Sequence, residues 1–253
     1  MKQHRFFIKE KIEDKEVITL TDRDILHQWK RVLRFLAGQR VILLDNTGTE
    51  FHGVISEISV DKADINKEKI NFPESYEQVI PSVKLYPALI KKDKFDWVLQ
   101  KCTEIGVNAF HPIISDRTEK TGFNMIRAEK ILTEASEQSE RRTIPRITVP
   151  QNLDETLQDI LEKKSLSDIY LALQIKGLSL KDILSDILEK KSLSDIYLKD
   201  INFHIFVGPE GGWSEDDTEI FNNNGVQLVS VGSPILRAET ASVVISTLLI
   251  LGQ

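Results

Sequence analysis

Residues 203–214 read Phe203-His-Ile-Phe-Val207-Gly-Pro-Glu-Gly-Gly-Trp-Ser214. An apolar run of strand length meets a glycine-rich turn. Ser214 then starts a helix, because its hydroxyl can accept from the free N–H groups of a first turn. Glu215, Asp216 and Asp217 follow and suit the positive end of that helix. Gly208, Gly211 and Gly212 carry no Cβ, so a ligand can approach the backbone closely. The carboxyl end of a strand is also where open α/β sheets bind ligands. The run matches neither Walker A nor Gly-x-Gly-x-x-Gly, and no lysine follows the glycines. Three carboxylates at the helix start make phosphate an unfavourable ligand. A tight strand–helix turn with no ligand remains the plainer alternative.

A second stretch has the same design. Val231-Gly232-Ser-Pro234-Ile235-Leu236-Arg237-Ala-Glu239-Thr-Ala241 takes another strand through a glycine into a helix. That helix is apolar on nearly all sides, with Val243, Val244, Ile245, Leu248, Leu249 and Ile250, which predicts burial in the core or at an oligomer interface. Arg237 and Glu239 at its mouth are costly to desolvate and must be paired or functional. A plain Arg–Glu ion pair is the simpler possibility.

Outward from these stretches, strands alternate with helices from Val83 onward. Strands are predicted at Val83–Ala88, Ala109–Ser115, Ile169–Gln174 and Val226–Val231. Phe95, Val98, Leu99, Cys102 and Ile105 repeat at helical spacing, and Gly106 is placed as a C-cap. Asn124 is placed as the cap of a helix to about Arg142, with Ile126, Ile131, Leu132 and Ala135 inward. This alternation predicts an α/β domain with a mainly parallel sheet covered on both faces. Residues 1–72 differ, with short strands at Arg5–Ile8, Val17–Leu20, Arg40–Asp45 and Glu50–Ser59. A hairpin signal lies at Asp45–Gly48, and one helix is expected from Asp24 to Leu36, stopped by Gly38. They predict a small β-barrel, followed by a polar, proline-flanked linker over 71–81. One 13-residue sequence, Asp159–Leu171, recurs unchanged at Asp186–Leu198. Two copies are too few for a solenoid. The first is expected to enter a core strand, the second to lie on the surface.

The 253 residues, 41% hydrophobic and 28% charged, exclude a wholly disordered chain. The single cysteine, Cys102, excludes an intrachain disulfide and a multi-cysteine zinc site. The five histidines show no ligand spacing, so no metal is expected. His204 reads as a core histidine. No long apolar run follows the first residues and none spans a bilayer, so neither signal peptide nor membrane is expected, and the cytoplasm is the expected compartment. The net charge of −6 speaks against nucleic acid, but it is uneven. Residues 1–45 hold 10 Lys/Arg against 7 Asp/Glu and residues 91–150 hold 11 against 9, whereas 151–253 hold 8 against 16. Local patches steer association. Arginines beside aromatics in the two basic segments suit RNA, although scattered surface arginines would look the same.

His4-Arg5-Phe6-Phe7, His27 with Arg31-Val-Leu-Arg34, Lys101-Cys-Thr-Glu104-Ile-Gly-Val107, Glu137-Gln-Ser139 with Arg141, Gly208-Pro-Glu-Gly-Gly212 and Ile235-Leu-Arg-Ala-Glu-Thr-Ala241 occur in that order. In this combination, from about residue 4 to 251, the chain resembles the bacterial 16S ribosomal RNA uridine-N3 methyltransferases of the SPOUT, or trefoil-knotted, class. The resemblance implies a PUA-like, RNA-binding β-barrel over 1–72 and a SPOUT-like methyltransferase domain over 75–253. It implies a homodimer, S-adenosyl-L-methionine as cofactor, and methylation of N3 of uridine 1498 in 16S rRNA or the small ribosomal subunit. By the same resemblance Leu173, Val207, Gly208, Pro209, Glu210, Gly212, Val231, Gly232, Ile235, Leu236 and Arg237 would bind the cofactor. Glu239 or Glu104 would act as base, with Arg237 stabilising charge on the uracil. Arg5, Arg31, Arg34, Arg117, Arg141 and Arg142 would hold RNA. Trp213 replaces a smaller apolar residue or Phe, Val231-Gly232-Ser233-Pro234 departs from a Leu-Gly opening, and Cys102 and Ile105 replace common Ala or Thr and Leu. Alternatives are a non-catalytic RNA-binding protein, a methyltransferase for another RNA, and a nucleotide-phosphate enzyme.

Overall fold

The structure, a computed structural model, describes residues 3–12, 15–71, 81–119, 122–192 and 200–251. Two compact units divide the chain: Met1–Tyr76 with Ser136–Ile144, and Glu77–Ala135 with Pro145–Gln253. Most of the expected linker, 72–80, and the end of the second repeat copy lie outside the described residues.

In the first unit β1 (His4–Phe7), β2 (Val17–Leu20), β3 (Arg40–Leu44), β4 (Glu50–Ile58) and β5 (Ala63–Asn71) form a sheet in the order β1-β3-β4-β5-β2. β1 and β3 are parallel and the other neighbours antiparallel. The Asp45–Gly48 hairpin joins β3 to β4, with the Asp45 carboxylate accepting from the Thr47 amide. β5 was not expected from sequence. Only Ala63 and Ile65 are buried in it, and Lys67, Glu68 and Lys69 hide the alternation expected of a strand with one buried face.

The expected helix Asp24–Leu36 is shorter and changes its winding. Asp22 caps α1 (Arg23–His27), accepting from the Asp24 and Ile25 amides, and Gln28–Val32 continues as a π-helical turn. The chain leaves it at Arg34, with φ of +56°, rather than at Gly38. The Phe35 amide donates to the Trp29 carbonyl at 2.8 Å, which brings the two rings to 5.6 Å in the core beside Phe6.

Ser136–Ile144 returns to this unit, which a single boundary near residue 75 does not contain. Glu137 Oε1 accepts from the Phe7 amide, Asn46 Oδ1 from the Ile144 amide, and Arg142 Nε lies 3.3 Å from Glu50.

The second unit holds β6 (Ser82–Pro87), α2 (Lys92–Ile105), β7 (Ala109–Phe110), β8 (Ile113–Ile114), α3 (Met125–Gln138), β9 (Arg146–Ile147), β10 (Gln151–Asn152), α4 (Leu153–Leu161), β11 (Asp168–Ser179), α5 (Leu180–Ser192), β12 (Asn202–Val207), α6 (Glu215–Asn223), β13 (Gln227–Ser230) and α7 (Ala238–Ile250). The last turn of α3 belongs with the first unit. The main sheet, β13-β11-β12-β6-β7-β9, is parallel throughout, and β8 pairs with β10 beside it. Tyr86, Tyr170 and Phe206 of the sheet pack with Leu157 of α4 and Phe221 of α6. Helix α7 packs on α2, β6 and β12. Buried Cys102 of α2 meets Ser246 of α7, and burial pushes its thiol up to about 12, an inert core position.

Gly106 caps α2 at φ +127°, donating to the Cys102 and Thr103 carbonyls. Asn124 Oδ1 accepts from the Arg127 amide at the start of α3. Two expectations are corrected. α3 ends at Gln138, not near Arg142, and its buried face is Ala128, Leu132 and Ala135, with Ile126 exposed. The strand expected over Ala109–Ser115 splits into β7 and β8 at Pro112, which has no amide to donate.

Candidate functional site

An irregular segment of β11 and the ends of β12 and β13 in the second unit meet around a cavity of about 710 Å³. Its first wall is a defect in β11. Leu173 and Leu178 both stand opposite Val229 of β13, so Gln174–Gly177 are extruded, and Gln174, Ile175 and Lys176 line the cavity. Gly177 permits this, since a Cβ there would lie 2.5 Å from the Val229 carbonyl carbon.

The second wall follows β12. Ser214 accepts from the Asp217 amide, and Asp217 accepts from the Ser214 amide in return, which fixes the start of α6. Trp213 turns inward, stacks edge-on against Phe221 at 4.8 Å, and donates its indole N–H to the Leu173 carbonyl at 2.8 Å. It therefore joins the first wall to the second. A Cβ on Gly208 would come within 3.2 Å of that indole. The third wall follows β13, where Gly232 takes a φ of +97° and the loop runs to Arg237, the N-cap residue of α7.

Charge gathers at one side. Lys94 Nζ of α2 lies 3.7 Å from Glu210 Oε1 and 3.5 Å from Glu239 Oε1. The Glu239 side chain is 15% exposed, and its Oε2 is buried without a hydrogen-bond partner among the described residues. Arg237 is exposed. Arg117 Nη1 donates to the Gly211 carbonyl at 3.0 Å. Among the described residues no group of three His, Cys, Asp or Glu could hold a metal ion.

The residues expected from sequence at the cofactor are all in this lining: Leu173, then Val207, Gly208, Pro209, Glu210 and Gly212, then Val231, Gly232, Ile235, Leu236 and Arg237. Glu239 stands beside them through Lys94. Glu104 does not: it is exposed on α2, paired with Lys101 Nζ at 2.9 Å, and is no part of the lining. Sequence reasoning missed Lys94, Gln174, Ile175, Lys176 and the inward role of Trp213. Lys94 sits in a lysine-rich helix start where spacing does not single it out. The extrusion in β11 depends on pairing with a strand far along the chain.

The arginines separate into two kinds. Arg31 and Arg34 are exposed, and Arg117 lies on the cavity rim. Arg5 is turned inward, its side chain 9% exposed, and pairs with Glu50. Glu50 also meets Arg142, His52 and Asn71. Burial pushes the Glu50 carboxyl up, but Arg5, Asn71 and His52 hold it net below its ordinary value. Burial pushes Arg141 down to about 10, and its Nε donates to the Thr143 carbonyl. Arg5 is thus held in an ion pair with Glu50 in this structure.

The model of the RNA methyltransferase domain family matches residues 77–250. The chain is 30% identical over 245 residues to Ribosomal RNA small subunit methyltransferase E of Rickettsia conorii, covering 96% of this chain and 93% of that one. It is 27% identical over 246 residues to the protein of the same name in Bacillus subtilis, covering 94% and 92%. The crystal structure of Ribosomal RNA small subunit methyltransferase E from Neisseria gonorrhoeae, bound to S-adenosyl methionine, superposes with a TM-score of 0.81 at 24% identity, covering 97% of this chain and 96% of that one. That likeness is one of fold. The family model takes in all three walls of the cavity, and the relatives extend over both units. The chain belongs to the RNA methyltransferase family.

Proposed function

We propose that this chain methylates N3 of uridine 1498 in the 16S rRNA of the small ribosomal subunit, with S-adenosyl-L-methionine as donor. The observation that carries this is the convergence of the extruded segment of β11 and the loops after β12 and β13 on one cavity. The cavity fits the donor. Its volume suits a cofactor-sized molecule. Its walls offer apolar side chains and open backbone at Gly212 and Gly232, and the carboxylates at the start of α6 disfavour a nucleoside triphosphate. When bound, the sulfonium supplies the methyl group, transferred by in-line displacement.

The chain's own residues then position the base and move one proton. N3 of uridine is protonated at neutral pH, and Glu239, mostly buried beside the cavity, is the base that takes the proton. Lys94 steadies the Glu239 and Glu210 carboxylates, and the exposed Arg237 offsets the charge that develops on the uracil. The target base must be single-stranded or turned out of its helix to reach them. The same reading includes a PUA-like barrel in the first unit, a knotted second unit, a homodimer and a cytoplasmic location. Leu248 of α7, a large apolar side chain 41% exposed on that helix, supports the dimer. No helix of the described residues is long and apolar enough to cross a membrane.

Nucleoside mass spectrometry of rRNA from a deletion strain tests the substrate: 3-methyluridine should vanish, and its persistence would refute the assignment. Single-turnover methylation by Glu239→Gln and Arg237→Ala tests the roles. The chemical rate should fall at least about 100-fold in Glu239→Gln, with cofactor affinity measured separately.

A further inference from the structure

A second cavity, of about 290 Å³, lies wholly within the first unit. His4 and Phe6 of β1, Gln28 and Leu33 of the π-helical turn and its exit, and Glu137 and Gln138 line it. We propose that this cavity takes an unpaired base of the RNA substrate, so that the first unit reads a nucleotide separately from the methyl-transfer cavity. The proposal rests on the RNA-methylation reading given above and deepens it.

The lining has the chemistry of base recognition. The exposed His4 ring is held against Phe35 at 5.3 Å and lies within 22° of parallel to Phe6, so it presents a supported flat surface. Unpaired bases stack on such rings. Gln28 and Gln138 are exposed primary amides, each with donors and an acceptor, the groups that pair with base edges. The wall carrying Gln138 is anchored, because neighbouring Glu137 accepts from the Phe7 amide at 3.0 Å. Arg5 also reaches the cavity, its Nη2 paired with Glu50 and its Nε a buried donor without a partner among the described residues, and Glu137 adds a carboxylate. The interior therefore disfavours phosphate and suits a neutral ring.

The backbone around the cavity is irregular in a way that costs stability and serves presentation. Gln28 opens a π-helical turn, a rare winding frequent at functional sites. Arg34, next to Leu33, takes a left-handed conformation that side chains disfavour. This turn carries Arg31 and Arg34, both exposed and in no ion pair with a described residue. Guanidinium groups beside a base-sized cavity suit the phosphates that flank an unpaired base.

Fluorescence anisotropy with a small-subunit rRNA fragment tests the proposal, using wild type, His4→Ala and Gln28→Glu. Both positions are exposed, and circular dichroism melting checks that each variant is folded. Each substitution should weaken RNA binding about tenfold. Abasic sites are then walked through the fragment. One position should cost the wild type about tenfold and cost the variants nothing further, which identifies base and pocket together. Variants that bind as wild type, or losses that add to the abasic loss at every position, would overturn the pocket. Wild type that binds no such RNA would overturn both pocket and substrate. Binding with the non-additive pattern but without 3-methyluridine formation would sustain the pocket and refute the methylation reading alone.

Discussion

Trp213 donates to the Leu173 carbonyl and leans on Phe221, so one side chain ties the loop after β12 to the extruded segment of β11. Trp213→Phe keeps a ring against Phe221 but removes the donor and leaves the carbonyl of Leu173 without it. The expected loss is about 1–2 kcal/mol of stability, read by urea unfolding. Calorimetry should show S-adenosylmethionine binding weakened by about tenfold, since about 1.4 kcal/mol of positioning is lost. Unchanged affinity would separate the tryptophan from the cavity's shape. The sequence marks Trp213 only as an unusual residue beside the glycines. Its partner lies 40 residues away, and no local pattern encodes that distance. The same limit applies to arginine. Arg5 and Arg31 both sit near aromatics in the sequence, but Arg5 meets Glu50 across 45 residues and is half-buried, whereas Arg31 stays in solvent.

At the scale of elements, most starts and stops were legible because they are local chemistry. Ser214 and Asp217 cap α6 reciprocally, Asn124 caps α3, and Gly106 ends α2 in a conformation that favours glycine. What was not legible is set by neighbours. β5 is a strand because β4 and β2 flank it, and its charged residues give no apolar alternation. The repeat makes the point with one sequence in two places. Asp159–Ser165 leaves its helix after Leu161, whereas the identical Asp186–Ser192 stays helical to Ser192. Propensity is the same in both, so packing decides. In the first copy Asp168 accepts from the Ser165 amide and from Asn202, which turns the chain into β11. The extrusion in β11 yields a direct test. In Gly177→Ala the new methyl would face the backbone of Val229 at 2.5 Å, and backbone cannot swing aside. Overpacking of this kind costs about 1–3 kcal/mol. Thermal unfolding should show that loss, and cofactor binding should weaken because Gln174–Lys176 form a wall of the cavity. A fully stable Gly177→Ala protein would mean that β11 and β13 can slide apart at no cost.

Across the whole molecule, two titration and charge effects can be read. His111 and His204 lie beside Tyr86 at the centre of the second unit, with His204 Nδ1 2.9 Å from the Tyr86 hydroxyl. Burial, with Lys84 nearby, pushes both imidazoles down to about 4, and Asp168 partly opposes this at His204. Each folded value is below the unfolded one, so the unfolded chain binds more protons between about pH 6.5 and 4. Stability is therefore fully present above about pH 6.5 and falls as pH drops toward 4, on the order of 2–3 kcal/mol per histidine. Urea unfolding at pH 7 and pH 5 should show the slope, and His111→Asn should reduce it. The second effect concerns RNA. A net charge of −6 is unfavourable to that partner on average, but affinity depends on the guanidinium groups that phosphates can reach. If all six arginines expected from sequence met phosphates, the slope of log K against log salt would be about −4 for single-stranded RNA, at about −0.7 per contact. In the structure Arg5 and Arg142 pair with Glu50, and half-buried Arg141 donates to the Thr143 carbonyl. Arg31, Arg34 and Arg117 remain, which lowers the expected slope to about −2. Arg31→Ala should then reduce its magnitude by about 0.7, whereas an Arg142→Ala protein should keep the full slope while losing stability through Glu50. Anisotropy titrations from low to moderate salt decide between the two values, and a slope near −4 would mean that Arg5, Arg141 and Arg142 leave their partners for phosphate.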